Sequence, residues 1–158
     1  MALGSREVVG EQAWATTTER WYNAQGEMLV LKNGRIDQAV GMTQEWRRQE
    51  SHPPSWQNLS RQTDREHWTR ELDLMPGYRM GQIDHIVTGK IPTPTGSFAG
   101  VPSNAQWFAD EISSTHRSGL PWVFTQRFAV VDNQVVYSEQ CLSENVCLKL
   151  RPIGMVKP

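Results

Sequence analysis

The chain has 158 residues, 38% of them hydrophobic and 21% charged, with a formal net charge of −1. That length can bury a core as one domain without metal or disulfide staples, and the near-zero charge argues against a nucleic-acid-binding face or an acidic tail. No apolar run approaches the ~18 residues that a membrane-spanning helix needs.

The stretch Ser5 to Thr18 is rich in Val and Thr and reads as a first strand around Glu7–Thr17, bent or bulged at Gly10. Asn23-Ala24-Gln25-Gly26 is a turn, Glu27–Leu31 a strand, and Asn33-Gly34 the strongest short hairpin signal in the chain. Arg35–Met42 pairs back with Ile36, Gln38 and Val40 alternating, so Trp14 to Met42 forms a meander of three strands. Residues 43–64 change character. They hold Pro53-Pro54, are rich in Gln, Arg and Ser, and show no sustained period. They read as a long irregular connection, functional or mobile, with at most a short helix at Thr43–Gln49.

Glu66–Met75 alternates, with Trp68, Arg70, Leu72 and Leu74 on one side, before a turn at Pro76-Gly77. Gln82–Thr88 is the next strand, and Gly89–Gly100, with three glycines and two prolines, is loop with an edge segment at most. Ser103 and Gln106 fit a capping box, yet the following residues lack a helical stripe, so Ser103–Ser113 reads as strand. The tail Pro152–Pro158 is expected to be loosely held, residues 154–158 above all.

Trp122 to Ile153 reads as three strands joined by two short turns. Asp132-Asn133 tolerates the positive φ of a two-residue hairpin loop, which sets Val130 opposite Val135, Phe128 opposite Tyr137 and Gln126 opposite Glu139. A three-residue loop Ser143-Glu144-Asn145, with Asn145 left-handed, then sets Glu139 against Lys149, Tyr137 against Arg151 and Cys141 against Cys147. Directly opposed cysteines are within disulfide reach. About eight or nine short strands without a long helix define an antiparallel all-β domain, a sandwich or a partly closed barrel. In this register one face mixes Phe124, Phe128 and Val130 with Gln126, Glu139 and Lys149. Both faces are then partly covered, or one lines a semi-polar cavity.

The first residues, Met1 to Arg6, lack the basic-then-apolar pattern of a signal peptide. The expectation is either a cytosolic protein or the mature part of an exported one. A disulfide at a hairpin favours export, because disulfides persist in oxidising compartments; two buried thiols in a cytosolic protein is the competing reading.

Chemistry-bearing motifs are sparse. His52, His67, His85 and His116 stand singly, outside metal-ligand spacing, so neither a metal nor another cofactor is expected. Glu71 and Asp73 share a strand face, which suits a carboxylate dyad and, more simply, a solvated surface. Phosphate-loop, dinucleotide and nucleophile-elbow signatures are absent. The seven tryptophans draw attention instead. Trp46 and Trp56 lie in the irregular connection beside Arg47, Arg48 and Arg61, a composition suited to stacking on sugar rings or to a protein contact. The alternative is that they fold back to cap one end of the barrel. Trp14, Trp68, Trp107 and Trp122 sit in strands and read as core or rim packing.

Three segments resemble the YjbF/GfcB-type lipoprotein family, named for group 4 capsule polysaccharide. They are Trp21 to Val30 running into Lys32-Asn33-Gly34-Arg35-Ile36 with Val40-Gly41, the strand His67 to Leu74, and Trp122 to Asn133 with Val135 to Gln140 and Arg151-Pro152. The resemblance implies a non-catalytic envelope lipoprotein domain serving capsule or exopolysaccharide assembly or export. Its expected partner is a polysaccharide or another envelope secretion protein, with no nucleic acid. It also implies a periplasmic location, outer-membrane-anchored through a lipid outside this chain. A carrier of a lipid or other hydrophobe in a half-barrel cavity is the competing function.

Overall fold

The computed structural model describes residues 1–10, 16–96, 98–115 and 119–151. Trp14, His116 and the tail 152–158 lie outside them. The first strands are β1 (Ala2–Val9), β2 (Thr16–Tyr22), β3 (Met28–Lys32), β4 (Arg35–Val40) and β5 (Glu45–Ser51). A short helix, α1 (Trp56–Arg61), precedes β6 (Glu66–Met75), β7 (Arg79–Ile91) and β8 (Gln106–Thr115), and β9 (Pro121–Val131), β10 (Gln134–Ser143) and β11 (Val146–Leu150) are the last elements among the described residues. All eleven join in sequence order in one antiparallel sheet.

The sheet curls into a half-barrel. Far-apart strands meet across its inside: the Ile36 amide of β4 donates to Gln140 Oε1 of β10 at 2.9 Å, and Gln140 Nε2 donates back to the Gly34 carbonyl at 2.8 Å. Trp21 of β2 and Leu148 of β11 pack on the same apolar cluster from opposite ends of the sheet. Curling needs a close approach at the Asn33-Gly34 turn, where both residues have positive φ and a Cβ on Gly34 would meet Val135 side-chain carbons at 2.4 Å. Only glycine meets both demands. Strand β1 hangs outside the curl, exposed along its whole length.

Two apolar clusters fill the interior. Leu29, Leu31, Ile36, Ala39, Trp46, Leu72 and Leu142 form one. Trp56 and Leu59 of α1 form the other with Phe108, Phe128 and Val130. Ser55 caps α1 by accepting the Asn58 amide at 3.2 Å, and the i, i+3 spacing turns Trp56 and Leu59 inward together. The Trp56 ring lies 5.5 Å from Phe108 and 5.1 Å from Phe128, and its Nε1 donates to the Asn33 carbonyl at 2.8 Å. The helix therefore plugs the end of the half-barrel where β3 turns into β4 and β9 into β10.

Charge is buried beside both clusters. Arg35 Nε and Nη2 bind the two carboxylate oxygens of Asp110 at 3.0 and 3.2 Å, with the guanidinium 3.8 Å over the Trp56 ring. Arg70 Nε binds Asp84 at 2.9 Å, and its guanidinium sits 5.3 Å from the Trp46 ring centre. Arg48 lies 3.8 Å from Asp37, too far for a hydrogen bond from Nε. Burial and the nearby Arg70 pull the Arg48 guanidinium down to about 10.

Several expectations change here. Residues 43–64 are a strand and a plug helix in place of an irregular connection, and the helix expected at Thr43–Gln49 is β5. The single strand expected around Glu7–Thr17 is replaced by two, β1 ending at Val9 and β2 starting at Thr16, which with β5 raises the count to eleven. The Asp132-Asn133 turn, Val130 opposite Val135, Glu139 opposite Lys149 and Cys141 opposite Cys147 hold. The cysteines form a disulfide. A bulge after Val135, however, sets Phe128 against Ser138 and Arg127 against Glu139. The loop after Ser143 is only Glu144-Asn145, because the extra residue is Leu142 within the strand, and Asn145 is not left-handed. An inserted residue exchanges the two faces of a strand, so Ser138, Gln140 and Leu142 point inward while Tyr137 and Glu139 join Arg127 and Lys149 outside.

Candidate functional site

The end of the half-barrel opposite α1 is open. It is bordered by the turns β4–β5, β6–β7 and β10–β11 and by Thr115 and Trp122 at the ends of β8 and β9, and holds a cavity of about 230 Å³. Its walls differ in chemistry. On β9 the inward Trp122 and Phe124, two residues apart and so on one face, stack with ring centres 3.9 Å apart and planes 17° from parallel. Trp46, Leu72 and Leu142 add an apolar wall.

Beside these, on the neighbouring strands β7 and β8, runs a connected polar strip, Ser114 pairing directly with Trp122. Arg79 donates to the Gln82 side-chain carbonyl and, at 2.6 Å, to the Thr115 carbonyl. Gln82 Nε2 reaches Ser114 Oγ at 2.6 Å and Asp84 Oδ1 at 3.2 Å, and Asp84 holds Arg70. At the rim, Gln44 Nε2 donates to the Met75 carbonyl at 2.6 Å. The strip runs from the mouth to the floor, ends on side chains at most 5% exposed, and offers hydroxyl, amide, guanidinium and carboxylate groups.

Of the five residues singled out from sequence, only Trp46 lines this cavity. The structure does not bring the others to it. Arg48 is buried in the interior, Trp56 belongs to the plug at the far end, Arg47 is exposed on the outer face of β5, and Arg61 is exposed at the end of α1. Trp46 and Trp56 are 2% and 3% exposed, so neither stands on a solvent-facing loop, and Trp56 caps the barrel. Sequence reasoning missed Gln82, Ser114 and Arg79 and treated Trp122 as packing. The available signal was the start of β9, where Trp122 and Phe124 alternate with exposed Val123. Glu71 and Asp73 face outward, Asp73 accepting the Gly81 amide at 2.9 Å and a bond from Gln49. Among the described residues no cluster of three or more His, Cys, Asp or Glu is placed to hold a metal ion.

A curled antiparallel half-barrel, plugged at one end and carrying an aromatic-and-polar pocket at the other, defines a single-sheet all-β domain with a small open-end pocket. The model of the family described as group 4 capsule polysaccharide lipoprotein GfcB, YjbF matches residues 2–148. The chain belongs to that family, which gives it a capsule-related role in the cell envelope. Its fold is similar to the crystal structure of the hypothetical lipoprotein YmcC from Escherichia coli (K12), with a TM-score of 0.61 and 22% identity over 91% of this chain and 77% of that one. No curated protein matches the chain.

Proposed function

We propose that this domain is a non-catalytic glycan-binding component of capsule or exopolysaccharide assembly or export, acting in the periplasm on an outer-membrane lipid anchor. The open-end pocket carries this reading. A sugar ring has apolar C–H faces and a belt of hydroxyls, and the pocket sets the Arg79–Gln82–Ser114–Asp84 strip of β7 and β8 between Trp46 on β5 and the stacked Trp122–Phe124 pair on β9. An aromatic wall with a few fixed polar groups is how such sites obtain both affinity and orientation. The disulfide fits an oxidising compartment.

The interior argues against a lipid carrier. The half-barrel is occupied by its own side chains, including the Arg35–Asp110 and Arg70–Asp84 pairs, and an acyl chain would have to displace buried charge from its partners. Titration of the wild type with polysaccharide from the bacterium that makes it, followed by tryptophan fluorescence, tests the proposal. Trp122→Ala should abolish the response, and Trp56→Phe, at the plugged end, should leave it intact. Equal binding by wild type and Trp122→Ala would overturn it.

A further inference from the structure

We infer that the pocket recognises the end of a glycan chain, a single terminal sugar, rather than a segment along its length. This rests on the glycan reading above and concerns which part of the glycan is held.

The first observation is size. A cavity of about 230 Å³ falls below the roughly 300–1,000 Å³ of sites that enclose drug-sized ligands, leaving room for about one ring. The second is that the pocket is blind. Beyond its floor of Trp46, Arg70 and Asp84, the interior is filled by Arg35, Thr88 and Asp110, and then by Phe108, Phe128 and the Trp56 plug, all at most 5% exposed. A polymer entering at the open end has no exit at the other.

The third is where the hydrogen-bonding groups lie. Ser114 is 8% exposed and Asp84 1%. A chain lying across the mouth meets Gln44 and Arg79, whereas only a ring inserted end-on reaches Ser114 and the Arg70–Asp84 pair. A mid-chain ring carries a linkage on both sides, and the second linkage would have to pass through the floor. The lining also balances its charges, Arg70 and Arg79 against Asp84 and Glu144. It therefore suits an uncharged ring, because a further buried charge would lack its own partner.

The experiment counts chain ends. Polysaccharide from the bacterium is cut by mild acid hydrolysis to about one tenth of its length, and both samples are titrated by mass against the whole chain. End recognition predicts that half-saturation falls about tenfold in mass concentration, because each gram carries about ten times as many ends (a 1.4 kcal/mol change in apparent affinity). Gln82→Ala, at the mouth side of the strip, should weaken both titrations while leaving the fold intact. Equal half-saturation by mass, or tighter binding to the long chains, would overturn end recognition and leave glycan binding standing. No response to either sample would overturn the glycan reading itself. Glucose, galactose and their N-acetyl derivatives, compared with glucuronic acid, test the charge statement, which tighter binding of the acid would refute.

Discussion

Replacing Asp110 by asparagine isolates the part that buried charge plays in the half-barrel. The carboxylate is 1% exposed. It accepts Arg35 Nε and Nη2 at 3.0 and 3.2 Å and the Thr88 hydroxyl at 2.6 Å, and Thr88 Oγ1 in turn receives Trp68 Nε1 at 2.9 Å. Asparagine keeps the volume but removes the charge and turns one acceptor into a donor facing a guanidinium. Arg35, 3% exposed and stacked on Trp56, is left as an uncompensated cation. Breaking such a pair from one side costs about 3–5 kcal/mol, a large part of the roughly 5–15 kcal/mol of a typical domain. At about 2–4 °C per kcal/mol for a chain of this size, the melting temperature falls by roughly 6–20 °C. Replacing the whole pair, Arg35→Met with Asp110→Leu, should recover most of the loss, since an apolar pair of similar volume is often neutral or better. Urea unfolding followed by tryptophan fluorescence measures both, with an unchanged slope showing that the midpoint reports stability. A loss under about 1 kcal/mol in Asp110→Asn, a surface-pair value, or a double variant as unstable as the single, would refute the reasoning.

Three further predictions concern the closing strands. Replacing Cys141 and Cys147 by serine opens a loop with a sequence separation of 6 and should cost about 2 kcal/mol on the chain-entropy account; oxidised and reduced wild type with the same urea midpoint would contradict it. On the same strand, burial and the hydrogen bond to Glu139 push the Tyr137 phenol up to about 12. The fold favours the neutral phenol, so this contribution is complete below the ordinary value near 10 and is lost as pH rises toward 12. One of the three tyrosines should ionise last in a phenolate absorbance titration, and that phase should vanish in Tyr137→Phe. Burial raises the Glu139 carboxyl, but hydrogen bonds from Tyr137 and Arg127 and the charge of Lys149 outweigh it and hold it below the usual carboxylate range. Its contribution is present above pH ~4 and lost on further acidification, so Glu139→Gln should flatten the acid limb of stability against pH.

The legible parts of the fold were those whose signal is local. Asn33-Gly34 and Asp132-Asn133 are turns whose backbone demand is written in the residues themselves, and all four have positive φ. Cys141 and Cys147 sit near enough to a turn that the bulge at Leu142 and the shorter loop offset each other. The bulge after Val135 had no such mark, and it exchanged the faces of β10. Residues 43–51 conceal their strand because its alternation is not one of hydrophobicity. In β5 the inward residues are Trp46 and Arg48, an aromatic and an arginine, and a strand that buries arginine looks polar throughout. Helix α1 did carry a signal, Ser55 followed by apolar residues at Trp56 and Leu59, but six residues show no period. The pocket was illegible for another reason: Trp46, Gln82, Ser114 and Trp122 come from four strands, and only the curl of the sheet brings them together.

The buried arginines and aspartates that hid the strands also limit what the half-barrel can hold. An interior of apolar residues, open at one end, would offer its depth to any hydrophobe. Here Arg35–Asp110 fills the middle and Arg70–Asp84 stands at the bottom of the pocket. Such pairs gain little net stability over apolar packing, because desolvating two charges offsets their attraction, so stability alone is a poor account of three buried arginines and three buried aspartates in one domain. What the pairs do supply is geometry. Each guanidinium is fixed by a carboxylate and an aromatic face, and Asp84, held by Arg70, presents its other oxygen to Gln82. The floor is thereby rigid and polar without being charged overall. A hydroxyl-bearing ring can exchange hydrogen bonds with such a floor, while an acyl chain would only strip water from it. The proposed sugar site thus rests on the same pairs that would oppose a lipid in the barrel.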